Sequence, residues 1–229
     1  MQHALLVAAL LLSLAANQAL SACSGDACTS CGCTRLPALD CGGLYDQGQK
    51  AFPCNIPTNI TSLNFQNTDI DHLDASDLQG LNEMIRFDLT SGKFSSMDSL
   101  QLPNLAVLIL SKNKLTSLNS SAFAGVPNLS ELHLNSNALT ILPAHCFNGL
   151  SRLSILWIYE NPITKLENFA FFGLSSLPQL QLVPCVGSCS FLVSTLRGQL
   201  SLIEQNAFAG LTNLTRLDLD SVSKPTEAL

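Results

Sequence analysis

Positive charge is scarce in this chain: 11 Lys and Arg stand against 17 Asp and Glu in 229 residues, a formal net charge of −6. Without a basic excess, the electrostatic term that draws proteins to phosphate backbones and anionic bilayers is missing. Nucleic acid is therefore not an expected partner. Catalytic signatures are missing too. There is no G-x-S-x-G elbow, no H-E-x-x-H and no glycine-rich phosphate loop. His72, His133 and His145 fall at unrelated positions, and Asp69 and Asp71 flank an apolar Ile70 as in a solvated turn. Neither a metal site nor a cofactor is expected, and the chain reads as a binding protein rather than an enzyme. Beyond residue 22 no apolar run reaches the roughly 18 residues that a spanning helix needs, so no membrane span is expected. Aromatics are few, and tryptophan occurs once, as Trp157.

The chain opens differently. Ala4 to Ala16 is apolar and is followed by small residues ending at Ser21-Ala22, the length of a signal-peptide core. Residues 1–22 are expected to be a signal peptide and the product to be secreted. Leu20-Ser21-Ala22-Cys23 also fits a bacterial lipoprotein box, which would put a lipid on Cys23. A secretory route sets the reading of the nine cysteines, because in an oxidising compartment clustered cysteines usually pair. Cys28, Cys31, Cys33 and Cys41 form C-x2-C-x-C-x7-C, with Cys23 and Cys54 on either side. Zinc is the competing reading of so tight a cluster.

The strongest signal lies between Leu105 and Leu174. One phrase occurs there three times: LAVLILSKNKL from Leu105, LSELHLNSNAL from Leu129 and LSILWIYENPI from Leu153. Asn113, Asn137 and Asn161 mark a 24-residue step, and Phe123, Phe147 and Phe171 keep it. Less regular copies precede them, from Ile60 (Thr68 in the asparagine slot) and from Met84 (Gly92 in that slot). Within L-x-x-L-x-L the period is two, which predicts a short strand with leucines inward and the intervening residues outward. The asparagine follows the strand, where its amide can donate to and accept from turn backbone that would otherwise be unpaired. Glycine cannot, so the ladder is expected to be weakest at Gly92.

This pattern resembles extracellular leucine-rich-repeat proteins of the typical 24-residue class with an amino-terminal cysteine cap, similar to Toll-like, Slit-like and variable lymphocyte receptor ectodomains. The resemblance implies an α/β-type solenoid: a leucine-rich-repeat horseshoe with a parallel concave sheet and a largely irregular or short-helical convex side. Residues 23–58 would form the cap and 59–229 about six repeats plus a partial seventh. By the same resemblance the cap pairs would be Cys28–Cys33 and Cys31–Cys41. A further Cys23–Cys54 pair would tie the two ends of the cap together.

Two irregularities qualify that plan. Ile203 and Phe208 match Leu166 and Phe171 after 37 residues rather than 24, which places a 13-residue insertion at about 183–198. It reads either as a protruding loop closed by Cys185–Cys189 or as a short in-frame intron read as coding sequence. The seventh copy, from Leu214, runs to Leu229 without a terminal cysteine cap. That reads as a fragment or as an end covered by a partner or a missing segment.

Aligning the outward strand positions gives the candidate binding face: Arg86, Asp88, Val107, Ile109, Glu131, His133, Ile155, Trp157 and Tyr159. Its middle is apolar and aromatic, and its surroundings are polar. Tryptophan and tyrosine at exposed slots suit an interface because they bury much area and keep a polar tip. Four N-x-S/T sequons, at Asn59, Asn119, Asn128 and Asn213, are candidates for glycosylation, three of them in the slot before a repeat's first apolar residue. The expected function is a secreted recognition module that binds a protein or glycan ligand on its concave face, in innate immunity or adhesion. A matrix protein of the small leucine-rich proteoglycan kind and a truncated gene fragment are the alternatives.

Overall fold

The computed structural model describes residues 38–41, 56–73, 76–97, 99–120, 122–182 and 200–218. Eight three-residue strands form one parallel sheet. In chain order along it are β1 (Ala38–Asp40), β2 (Ser62–Asn64), β3 (Arg86–Asp88), β4 (Val107–Ile109) and β5 (Glu131–His133). Then come β7 (Ile155–Trp157), β9 (Gln179–Gln181) and β11 (Arg216–Asp218). Each turn of the solenoid thus adds one strand beside the previous one. The register follows the repeat: Leu63 faces Phe87, Phe87 faces Leu108, Leu108 faces Leu132 and Leu132 faces Leu156. These inward side chains are all buried, as the period of two requires.

The ladder outlasts the strands. Phe65, Leu89, Leu110 and Leu134 donate their N–H groups to Asp88, Ile109, His133 and Trp157 of the next turn. The chain then bends through Asn67, Ser91, Lys112, Ser136 and Glu160, all at φ between 55° and 61°. In the first four of these the left-handed residue still donates to a carbonyl of the next turn, so an inter-turn bond helps hold an unfavourable backbone conformation. The following slot carries the asparagines. Asn137 Nδ2 donates to Leu110 O at 2.9 Å and Leu134 O at 3.0 Å, while Oδ1 accepts from Leu115 N at 3.1 Å. Asn161 repeats this one turn on.

The expected weakness at Gly92 takes another form. Asn113 from the next turn reaches into the glycine slot, accepting from both Gly92 N and Phe94 N at 3.1 Å and donating to Leu89 O at 2.7 Å. On the other side, Thr68 Oγ1 donates to Phe65 O at 2.9 Å. A Cβ on Gly92 would lie 2.9 Å from Asn113 Oδ1, so the missing side chain is what admits that oxygen.

On the opposite face the phenylalanines form a stack. Ring centroids are 6.1 Å apart from Phe123 to Phe147, 5.9 Å to Phe171 and 5.5 Å on to Phe208. The last step spans 37 residues of sequence, and across it Ile203 pairs with Leu166. That pairing belongs to a second parallel sheet of β6 (Ile141–Leu142), β8 (Lys165–Leu166) and β10 (Leu202–Ile203). The opposite side, expected to be largely irregular or short-helical, consists among the described residues of turns and this small sheet.

The copy from Met84 is three residues shorter than its neighbours, and its far side folds closer to the next turn. Gln101 bridges Gly125, and Leu102 N donates to Gly125 O at 3.1 Å.

Candidate functional site

The sheet face carries the nine aligned residues, but not as one exposed surface. Arg86, Ile155 and Trp157 are exposed, and Val107, Glu131 and Tyr159 are half-buried. Asp88, Ile109 and His133 are buried, against the expectation that outward slots are open. The cause is lateral packing between strands about 4.8 Å apart. Asp88 is closed in by hydrogen bonds: Oδ2 accepts from Gln66 Nε2 at 2.8 Å and Arg86 at 3.2 Å, Oδ1 from Thr90 N at 3.0 Å and Thr90 Oγ1 at 2.6 Å. Ile109 lies between Asp88 and His133 in the same row. His133 is covered by Trp157, whose ring lies parallel to the imidazole with centroids 4.0 Å apart.

The face therefore divides in two. Toward β1 a polar depression of about 230 Å³ is lined by Asp40, Asn64, Gln66, Arg86 and Asp88 among others. Toward β9 a depression of about 290 Å³ is lined by Ser154, Ile155, Leu156, Trp157, Pro178 and Gln179. Trp157 is 44 % exposed and Ile155 39 %, and the Tyr159 ring sits 6.4 Å from the indole, tilted by 47°. These side chains make the apolar half. Pro178 and Gln179 are additions to the sequence-derived set. Gln179 was legible, since it shares the row of Ile155, whereas Pro178 precedes its strand and the alternation does not single it out.

Between the halves sit Glu131 and His133. His133 Nε2 lies 2.7 Å from Glu131 Oε1 and, among the described residues, has no other polar partner. Burial pulls the imidazole below its ordinary pKa of 6.5, against the smaller opposing pull of the Glu131 carboxylate. It is neutral near pH 7.

The remaining sequence candidates scatter. Cys41 is buried and disulfide-bonded. Cys23, Cys28, Cys31, Cys33 and Cys54 lie outside the described residues, as do residues 1–22, the segment 183–198 and residues 219–229. Asn59, Asn119 and Asn213 are exposed. The slot expected to be open is only half so at Asn128, whose Nδ2 donates to Pro103 O at 2.8 Å and whose Oδ1 accepts from Arg152 at 2.7 Å. Asn213 Nδ2 likewise donates to Ser175 O at 2.7 Å. In this slot asparagine also bridges adjacent turns, a structural use that the sequon does not reveal. Cys146 is a free, buried thiol, and burial pushes its pKa far up. His145 stacks on Phe169 at 5.5 Å and meets Phe172 edge-on at 5.2 Å, away from the sheet.

Comparison with known proteins agrees with this geometry. A leucine-rich-repeat family model matches residues 103–163 and 127–185. No curated protein matches the chain. Among solved structures, one titled as the crystal structure of a TLR13–ssRNA13 complex superposes with a TM-score of 0.58 at 25% identity, over 71% of this chain and 21% of that one. An octameric complex of Latrophilin 3, Unc5D and FLRT2, in which FLRT2 contributes its leucine-rich repeats, gives a TM-score of 0.58 at 20% identity, over 81% and 60%. The chain thus spans less than two thirds of either neighbour's length. Among the described residues no helix is long and apolar enough to cross a membrane.

Proposed function

Taking the chain as the leucine-rich-repeat protein that its fold and matches make it, we propose that it is an extracellular recognition module that binds a protein ligand on its sheet face around Trp157. The observation that carries this reading is the exposure of Trp157 and Ile155 beside a depression, on a sheet face where Asp88, Ile109 and His133 are covered. Large exposed apolar side chains that border a concavity are what interface anchors look like before a partner covers them. A protein or a glycan fits such a face in general. Here the apolar depression favours protein, because a sugar needs more polar partners than Ser154 and Gln179 supply at its rim. One neighbour is titled as an RNA complex and the other as a protein assembly; the acidic balance of this chain and the absence of a basic row on its sheet support the second kind of partner.

The test is a binding screen against arrayed purified extracellular proteins, with each hit measured again against two variants. Trp157→Ala is expected to weaken binding about thirtyfold or more, as for a central aromatic anchor. Phe172→Ala, on the opposite face and 43 % exposed, is expected to leave it unchanged. Hits that depend on Phe172 and ignore Trp157 would place recognition elsewhere.

A further inference from the structure

Three N-x-S/T triplets share the slot before a repeat's first apolar residue, at Asn59, Asn128 and Asn213, and the fold treats them differently. Asn128 is half-buried and bonded on both sides. Its Nδ2 donates to Pro103 O of the turn before at 2.8 Å, and its Oδ1 accepts from Arg152 Nη1 of the turn after at 2.7 Å. A carbonyl only accepts and a guanidinium only donates, so the two partners fix which way the amide points. The hydroxyl of the same triplet, Ser130 Oγ, donates to Ala106 O at 3.0 Å. Both defining side chains of that triplet thus join turns of the solenoid. Asn213 and Thr215 repeat the pattern on one side, donating to Ser175 O at 2.7 Å and Pro178 O at 2.9 Å. Asn59 is exposed, and among the described residues neither its amide nor the Thr61 hydroxyl is engaged in such a bridge.

Resting on the extracellular setting proposed above, we infer that Asn59 is an N-glycosylation site and that the Asn128 triplet is a structural bridge that stays unmodified. In the transfer, Asn59 Nδ2 bonds to the anomeric carbon of a polyprenyl-diphosphate-linked oligosaccharide. The bond from that carbon to the diphosphate oxygen breaks, the diphosphate leaves with the electron pair, and Nδ2 gives up one of its two protons. The product is a secondary amide, which prefers the trans form and so places the sugar on the side of Oδ1. At Asn128 that side holds the Arg152 guanidinium, so a sugar there displaces the bridge. The two positions also differ in what they border. Asn128 stands at the entry to β5, beside β7, and Ser154 of the Trp157 depression donates to Ser130 O at 3.1 Å. Asn59 stands at the entry to β2, four strand steps or roughly 19 Å from β7. The edge beside the Trp157 depression is thereby left bare for a partner.

The experiment uses the full chain, produced in mammalian cells and collected from the medium. Peptide N-glycosidase in heavy-oxygen water turns each asparagine that carried a sugar into a heavy-labelled aspartate. Peptide mass spectrometry is expected to find the label at position 59 and unmodified asparagine at 128. Asn59→Ala should raise electrophoretic mobility by one glycan, and Asn128→Ala should leave it unchanged. Urea midpoints of the deglycosylated proteins read the structural half: Asn128→Ala should lower the midpoint, and Asn59→Ala should not. Label at 128, or an unmodified Asn59 in the secreted protein, overturns the inference while the extracellular reading stands. An unchanged midpoint for Asn128→Ala overturns the bridging role. A chain that stays in the cytosol without sugar sinks both the inference and the extracellular reading.

Discussion

Removing the side chain of Asn113 should cost much more than removing that of Asn137, although the two occupy the same slot one turn apart. Asn137→Ala deletes three well-formed hydrogen bonds, but two of the acceptors keep another donor. Leu110 O retains Asn113 Nδ2 at 3.1 Å, and Leu134 O retains Asn161 Nδ2 at 2.9 Å. Only the N–H of Leu115 loses its partner. Asn113→Ala is different because its neighbour in the ladder is Gly92. The N–H groups of Gly92 and Phe94 and the carbonyl of Leu89 are all stranded. An unpaired buried polar group costs about 1–3 kcal/mol, so the expected loss is about 1–3 kcal/mol for Asn137→Ala, with one group stranded, and about 3–9 kcal/mol for Asn113→Ala, with three. With a urea m-value of about 2 kcal/mol/M, the difference separates the two midpoints by roughly 1 M or more. Urea titrations followed by both Trp157 fluorescence and far-ultraviolet circular dichroism measure it. Equal midpoints, or a lower one for Asn137→Ala, would refute the argument that the glycine concentrates the ladder's load on Asn113.

Other consequences are open to measurement. Gly125→Ala would place a Cβ 2.1 Å from Leu100 O, and so should destabilise by about 3 kcal/mol or more as overpacking against backbone, again read by urea midpoint. His133 resists in the folded state a proton that the unfolded chain accepts, because burial lowers its pKa from the usual 6.5. Its contribution is full above about that pH and is lost as the pH falls toward the folded value. The melting temperature should therefore drop between about pH 7 and 5, with a shallower slope in His133→Phe. The Cys146 thiol, buried with its pKa pushed far up, should resist alkylation at about pH 8 in the folded protein and react at once in denaturant.

Much of the scaffold was legible because a solenoid repeats its physics. The period-two leucines, the asparagine slot and the phenylalanine stack each occur often enough for register to be counted, even over the 37-residue step to Phe208. What escaped were interactions between turns that the repeat itself does not encode. The second sheet at Ile141, Lys165 and Leu202 uses positions with no distinctive residue type. The reach of Asn113 into the Gly92 slot is visible only when two turns are set side by side. The same limit applied to the candidate site. Alternation correctly put Trp157 and Ile155 on the sheet face, but not that a strand spacing of about 4.8 Å would let Trp157 cover His133, or that Gln66, Arg86 and Thr90 would enclose Asp88. Sequence gives the direction of a side chain; exposure depends on its neighbours in the adjacent strands.

The central claim is that recognition happens on the sheet face at Trp157, and the protein's lone tryptophan makes that directly measurable. Acrylamide quenching of its fluorescence should be efficient in the free protein, as suits an indole 44 % exposed, and should fall severalfold when a bound partner saturates the chain. Quenching that stays the same at saturation would contradict the claim.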